Sequence, residues 1–458
     1  MLRNHSGFRE IYNPRLDYLV EVYNPVNEVE WDETFTIEGK EGATVLPGWD
    51  GQSTEEIIPN VAGEYEVSNA AQLAWIAAAV NAPSDAQTFE GKVVKLVADI
   101  NLYGYEWTPI GNGTRFSSAI IGKSFKGTFD GNGKTISNLA INTNSSESKA
   151  IGLFGNVTGG SVKNLKLKNV SIDVTSEQAG AVVGLLGGGA EISDIEVLSG
   201  SVSAAQGTAG VVGRIIKYGT VSNCSNHAKI TGSAYNIGGI VGAAYYGAEG
   251  QTMVIANCKN YGTVTGAYGV GGIVGLSAAN VSGCVNEGNV TGGGADVAGI
   301  VAEQQNTGHV KGCTNRGTIT NTSTAYGTGG IVGWVRYSGA TSAYPVKSVI
   351  EVSGNTNYGS IDGGNDAGGI VGTVYNFGLI SGNKNFAPTL SAATFAAGIV
   401  GNAQFTETPE GINEPNSVKV TNNVSTTALD RITGQCKALY VYVNDPEYVT
   451  EEGNQDRE

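Results

Sequence analysis

The residues best suited to bond-making chemistry are three acids, Asp296, Glu303 and Asp366. Asp296 and Asp366 hold one position of a recurring phrase, three residues before the second glycine of a Gly-Gly-Ile-Val-Gly core, and Glu303 follows the same core. If copies of the phrase stack as parallel strands, the two aspartates stand two rungs apart, about 9.6 Å, with Gly327 on the rung between. That separation is near the upper end for the two carboxyl groups of an inverting glycoside hydrolase. Acids stacked on neighbouring rungs also suit cleavage of an acidic polysaccharide. The rest of the column is Lys149, Gln178, Gly207, Asn236, Gly269 and Phe395, and 42 acids in 458 residues align by chance as well. An enzyme using Asp296, Asp366 and Glu303 is therefore the alternative reading, and the main reading is not an enzyme.

A second group is better suited to binding. After the core phrase stand Tyr245, Tyr246, Gln305, Trp334, Arg336, Tyr337 and Tyr375. Aromatic rings beside hydrogen-bonding groups match a sugar ring with its hydroxyls. The same residues also suit packing under the insertion from Ser338 to Val349. A third column, His227, Tyr261, Glu287, Arg316, Tyr358 and Phe386, falls in turns, where Glu287 and Arg316 make a surface pair of small weight. Thr263, Thr265, Thr291, Thr318 and Thr320 resemble a flat ice-binding array, but Ser360, Asp362 and Leu390 break the series. Cys224, Cys258, Cys284 and Cys313 also recur in step. They form no Cys-x-x-Cys pair, so they read as buried thiols and not as a metal site or a disulfide framework. No cofactor is expected.

The elements that position these residues come from a repeat. Gly-Gly-Ile-Val-Gly occurs at 238–242, 271–275, 329–333 and 368–372, with looser copies ending at 155, 184, 213, 302 and 401. The spacing is 27 to 39 residues, the range of solenoid architectures. A second phrase begins at Ile136, Val162, Ile192, Val221, Ile255, Val281, Val310, Val352, Ile380 and Val420. Its third position holds only Asn, Asp or Gly, the residues that enter the left-handed backbone region cheaply. This predicts a one-residue bend in every repeat, which lets apolar residues three apart both face inward. The next position runs Leu139, Leu165, Ile195, then the four cysteines, then Asn355, Asn383 and Asn423. Two residues later stand Asn226, Asn260, Asn286, Asn315, Asn357 and Asn385. A buried asparagine is costly unless it is satisfied, and a column of them can bond from rung to rung.

Around this array, residues 1–60 read as a small β segment or cap, with strands at 18–23 and 31–37. A capping box at Asn69-Ala70-Ala71-Gln72 opens a helix over 69–82, which Pro83 ends and which covers the open end of the array. Residues 61–405 form the repeat unit, and 406–458 a C-terminal cap with a closing strand at 437–443 and an acidic tail that frays. The chain is rich in glycine, 68 residues, and carries a net charge of −15, which opposes a phosphate-gripping nucleic-acid binder. No run of about 18 apolar residues marks a transmembrane segment. The opening Met1-Leu2-Arg3-Asn4-His5 has the look of a trimmed fragment, with neither a basic-then-apolar leader nor a lipid-bearing cysteine.

The Gly-(Leu/Ile/Val)-(Val/Phe)-Gly core followed by Val-x-Asn-Cys-x-Asn-x-Gly resembles the GLUG-motif repeats of bacterial surface proteins. Upstream phrases resemble the lead-in of such adhesin-like proteins from Bacteroides-type bacteria. They are Trp49-Asp50-Gly51, Val67 to Trp75, Ala98 to Leu102, Trp107 to Gly111 and Phe129 to Gly133. The resemblance covers about residues 47 to 405. It implies a cell-surface or secreted adhesin-like protein that presents a loop face to a glycan or host protein. Relatives that cleave immunoglobulins carry a His-Glu-x-x-His zinc motif. Here the only histidines are His5, His227 and His309, so that activity is not implied. The sequence thus predicts an all-β, monomeric, right-handed parallel β-helix of about ten rungs.

Overall fold

The computed structural model describes residues 48–116, 119–142, 150–175, 177–245, 251–305, 308–336, 350–375, 378–404 and 418–426, with shorter strands at either end. The chain is an all-β parallel solenoid with one helix, α1 (Ala70–Asn81), among the described residues. Three stacks of parallel strands run its length, with 23, 16 and 10 strands. We call them the bend sheet, the threonine sheet and the motif sheet. Their axial register is strict. In the motif sheet Val241, Val274, Val301, Val332, Val371 and Val400 pair in succession. Each rung points valine and isoleucine inward from all three sheets into one continuous core.

The bend sheet is built as the phrase requires. Asn138, Asn164, Asp194, Asn223, Asn257, Gly283, Gly312, Gly354, Gly382 and Asn422 all have φ between 53° and 66°. The apolar residues on either side, such as Ile255 and Cys258, are both fully buried. On the outside the bend residues link rungs, with Asn223 Nδ2 donating to Asp194 Oδ1 at 3.2 Å.

The buried asparagines form the predicted ladder. Nδ2 of Asn226, Asn260, Asn286, Asn315 and Asn357 donates to Oδ1 of the next member at 2.8–3.1 Å. The same amide also donates to the carbonyl two residues ahead, as Asn286 does to Gly288 at 2.8 Å. This ladder explains the second glycine of the core phrase. A Cβ on Gly239 would meet the Gly272 carbonyl and the Asn260 side chain, and one on Gly272 would meet Asn286. The two repeating phrases are therefore the two sides of one contact. The cysteine column lies inside as free, buried thiols, each resting on the carbonyl two residues before it. Asn355, Asn383 and Asn423 continue that column as a second amide ladder.

Helix α1 closes the N-terminal end. Asn69 caps it by accepting from the Gln72 amide at 2.9 Å, and Gln72 reaches back to the Ser68 amide at 2.7 Å. Leu73 and Ile76 are fully buried over the first rungs. An aromatic cluster fills the core there: Phe129 and Phe125 pack on Phe154, and Phe89 packs on Phe125. At the N-terminus Asn4–His5, Phe8–Tyr12 and Leu19–Tyr23 pair as an antiparallel sheet. The strand expected at 31–37 lies outside the described residues.

Rung register carries beyond residue 405. Val418–Thr421 pairs with Gly378–Ser381, and Val449–Glu452 pairs with Val418–Thr421 in turn. Part of the acidic tail expected to fray is thus a strand of the bend sheet. The expected closing strand is present as two pieces, Cys436–Ala438 in the threonine sheet and Val441–Val443 in the motif sheet.

Candidate functional site

Each rung enters the motif sheet through a tight reversal. The strand Val297–Ala298 leads in, Gly299-Ile300 turns the corner, and Val301–Gln305 runs on. The sheets approach so closely at the last glycine of the phrase that a Cβ on Gly333 would meet the carbonyl oxygens of Ala302 and Gly327. This places the residue before the lead strand next to the one after the core. Asp296 and Glu303 are therefore neighbours, although the sequence suggested pairing Asp296 with Asp366.

Asp296 is 92% buried, and its Oδ1 has no hydrogen-bond partner among the described residues. Burial holds its carboxyl well above the usual range; the nearby Glu303 charge adds to this and Arg336 opposes it. Burial also raises Glu303, against its hydrogen bonds from Gln305 and Arg336. The Arg336 guanidinium lies 3.5 Å from Glu303 and 4.9 Å over the Trp334 ring, and Trp334 meets Tyr375 edge to face at 6.1 Å. Register sets the cluster, since Glu303 pairs with Trp334, and Gln305 with Arg336 and then Tyr375.

Asp366 stands two rungs from Asp296, with Gly327 between them. It is not part of this cluster. Its carboxylate accepts from Thr373 at 3.2 Å and Asn402 at 3.0 Å, and burial raises its pKa against those bonds. The backbones also differ. Asp296 has φ 63°, like Gln178, Gly207, Asn236, Gly269 and Gly327, whereas Asp366 lies in the strand Asp366–Gly368. The column is a second left-handed corner, and an aspartate suits it for conformational reasons. Two of the three candidate acids therefore meet, and the third has a hydrogen-bonding role on the next rungs.

The binding candidates are less open than their polarity implied. Tyr245, Gln305, Trp334, Arg336 and Tyr375 are half-buried. Trp334, Arg336 and Tyr375 are engaged with each other as described. Tyr246 and Tyr337 lie outside the described residues, as does most of the insertion after Tyr337.

The exposed rings stand elsewhere, in two columns of the threonine sheet that border its Thr231, Thr265, Thr291 and Thr320 ladder and are called its margins below. The first margin is the turn column. His227 stacks on Tyr261 at 4.4 Å, Arg316 pairs with Glu287 at 3.2 Å and covers Tyr358 at 5.3 Å, and Tyr358 stacks on Phe386 at 5.4 Å. The second margin carries Tyr235, Tyr268 and Tyr326, with Tyr235 stacked on Tyr268 at 5.2 Å. Tyr235, Tyr261, Tyr268, Tyr326 and Tyr358 are each 43–55% exposed. The second margin was not singled out from the sequence. Its signal was one residue before the column that contains Asp296, where successive rungs read Tyr235, Tyr268, Ala295, Tyr326 and Asn365.

Among the described residues no three His, Cys, Asp or Glu side chains gather as a metal-binding group, and no helix is long and apolar enough to cross a membrane.

Comparison with known proteins adds little to this geometry. No family model matches the chain. A stretch of 96 residues, 21% of the chain, is 40% identical to halomucin from Haloquadratum walsbyi. The match spans about 1% of that protein's length. Among solved structures, a putative immunoglobulin A1 protease from Bacteroides ovatus aligns with a TM-score of 0.35 at 16% identity, covering 88% of this chain and 87% of that one.

Proposed function

We propose that this chain is a rigid rod of a cell-surface or secreted protein, adhesin-like in kind, that presents a side face to a glycan or host protein. The observation that carries the reading is the pair of exposed aromatic margins on the threonine sheet. Five tyrosines at 43–55% exposure, held on rungs at a fixed axial spacing, suit a partner with both apolar and hydroxyl surfaces. The GLUG-like phrases and the local likeness to halomucin agree with an extracellular setting. The strict register of the core makes the rod stiff, so the margins are pre-organised and little ordering entropy is lost on binding.

The test is a glycan array and a host-protein array probed with the purified chain, with reducing-sugar release and unsaturated-product absorbance read on every hit. Binding without release supports the reading. Silence on both arrays refutes it. Release would instead favour a polysaccharide hydrolase or lyase. The observation behind that second reading is the buried Asp296 beside Glu303, a pair of acids whose pKa values are both raised. Asp296→Asn should then abolish release while leaving binding intact.

A further inference from the structure

We propose that the outer face of the threonine sheet, from the rung of Lys229 and Thr231 to the rung of Ser360 and Asp362, binds an uncharged polysaccharide. This rests on the reading of the chain as a binding rod and names the ligand for the margins described above.

The floor between the margins carries the argument. Thr231, Thr265, Thr291 and Thr320 pair in register, so one column of hydroxyl and methyl groups runs up the face. A parallel column is exposed beside it, with Thr263, Asn289 and Thr318 on successive rungs. Asn289 Oδ1 accepts from the Thr318 amide at 3.0 Å. On three consecutive rungs the outward floor residues are thus Thr263 with Thr265, Asn289 with Thr291, and Thr318 with Thr320. None is charged, although the chain carries −15. Charge returns only at the ends, with Lys229 below and Asp362 above, where Asp362 accepts from Ser391 at 2.7 Å.

Each part matches sugar chemistry. Hydroxyls and amides both donate and accept, as sugar hydroxyls do. The tyrosine and histidine rings offer C–H-facing surface and phenol groups at the margins. An anionic polysaccharide finds no equivalent reward. Arg316, the cation on the first margin, is already paired with Glu287, and the net charge repels polyanions. A protein partner would look for apolar anchors in the middle of the face, and threonine is poor in that role. The period of the floor is the rung spacing of about 4.8 Å, so a chain lying along the axis meets the same groups repeatedly.

The test is affinity gel electrophoresis of the full chain through gels containing xylan, galactomannan or β-glucan, and separately alginate or polygalacturonate. Three variants accompany it: Tyr235→Ala with Tyr268→Ala, Tyr261→Ala with Tyr358→Ala, and Thr265→Val with Thr291→Val. Lys168→Ala, an exposed change on the bend sheet, serves as a control. Thermal melts confirm that each variant is folded; these side chains lie on the surface, and valine keeps the strand preference of threonine. Retardation by a neutral polysaccharide is expected. It should weaken about tenfold or more in each tyrosine pair and in the threonine pair, and hold in Lys168→Ala. Retardation by the anionic gels alone overturns the inference. So does retardation that survives in the tyrosine variants, or loss in Lys168→Ala alone. Capture of a host protein without any polysaccharide retardation overturns the inference but leaves the binding-rod reading standing.

Discussion

The asparagine ladder makes a quantitative claim that is independent of any ligand. Asn286 sits at its middle, donating to Gly288 O and Asn315 Oδ1 at 2.8 Å each and accepting from Asn260 Nδ2 at 2.9 Å. Asn286→Ala removes three buried hydrogen bonds. At about 1 kcal/mol each, with more for groups left buried and unpaired, the cost is at least about 3 kcal/mol. Asn286→Asp tests the mechanism more sharply. Its second oxygen would face two acceptors, so the ionised form is repelled while the protonated form donates to one of them. The folded pKa of the new acid is therefore raised above its unfolded value of about 3.9. By linkage its stability is fullest below that value and is lost as pH rises through the folded pKa. Guanidinium unfolding followed by circular dichroism at pH 4 and pH 8 reads this directly. Asn286→Asp should be more stable than Asn286→Ala at pH 4 and less stable at pH 8. A gap of the same size and sign at both pH values would refute the donor argument, and a cost below about 1 kcal/mol for the alanine would refute the ladder's role in stability.

Asp296 gives a second pH test. Its raised pKa means that its contribution is greatest at acid pH and fades as pH rises. Asp296→Asn should therefore gain on the parent chain from pH 4 to pH 8 in thermal melts, and a parallel pair of curves would count against it. Gly239→Ala should fail to fold or lose more than about 3 kcal/mol, because the methyl meets backbone that cannot move. Gly312→Asn should be near-neutral in the same melts, since a Cβ there meets nothing and asparagine already holds φ 55° at the equivalent Asn257. Cys224, Cys258, Cys284 and Cys313 should resist a thiol reagent in the native chain and react on unfolding. All four are buried inside the stack, so a reagent reaches them only when the chain opens.

Much of this molecule could be read in one dimension because its fold is nearly one-dimensional. Each rung contacts only its neighbours, so any requirement of the stack is written again every 27 to 39 residues. The left-handed bend needed Asn, Asp or Gly, and the sequence shows nothing else there. The asparagines could be buried only as a column, and they appear as one. The helix announced itself through Asn69 and Gln72, whose capping bonds are local. What the sequence left open depended on contacts across a rung. Asp296 and Asp366 look equivalent in an alignment of repeats, but only the reversal at Gly299 shows that Asp296 faces Glu303, while Thr373 and Asn402 take up Asp366. Trp334 and Tyr375 look like free ligand-binding rings, and lateral packing with Arg336 half-buries them. The exposed tyrosine margins were present in the same alignment, one column over. The second column stands just before the left-handed corner at Asn236, Gly269 and Gly327, and periodicity along the axis carries no information about how that corner turns a ring towards solvent.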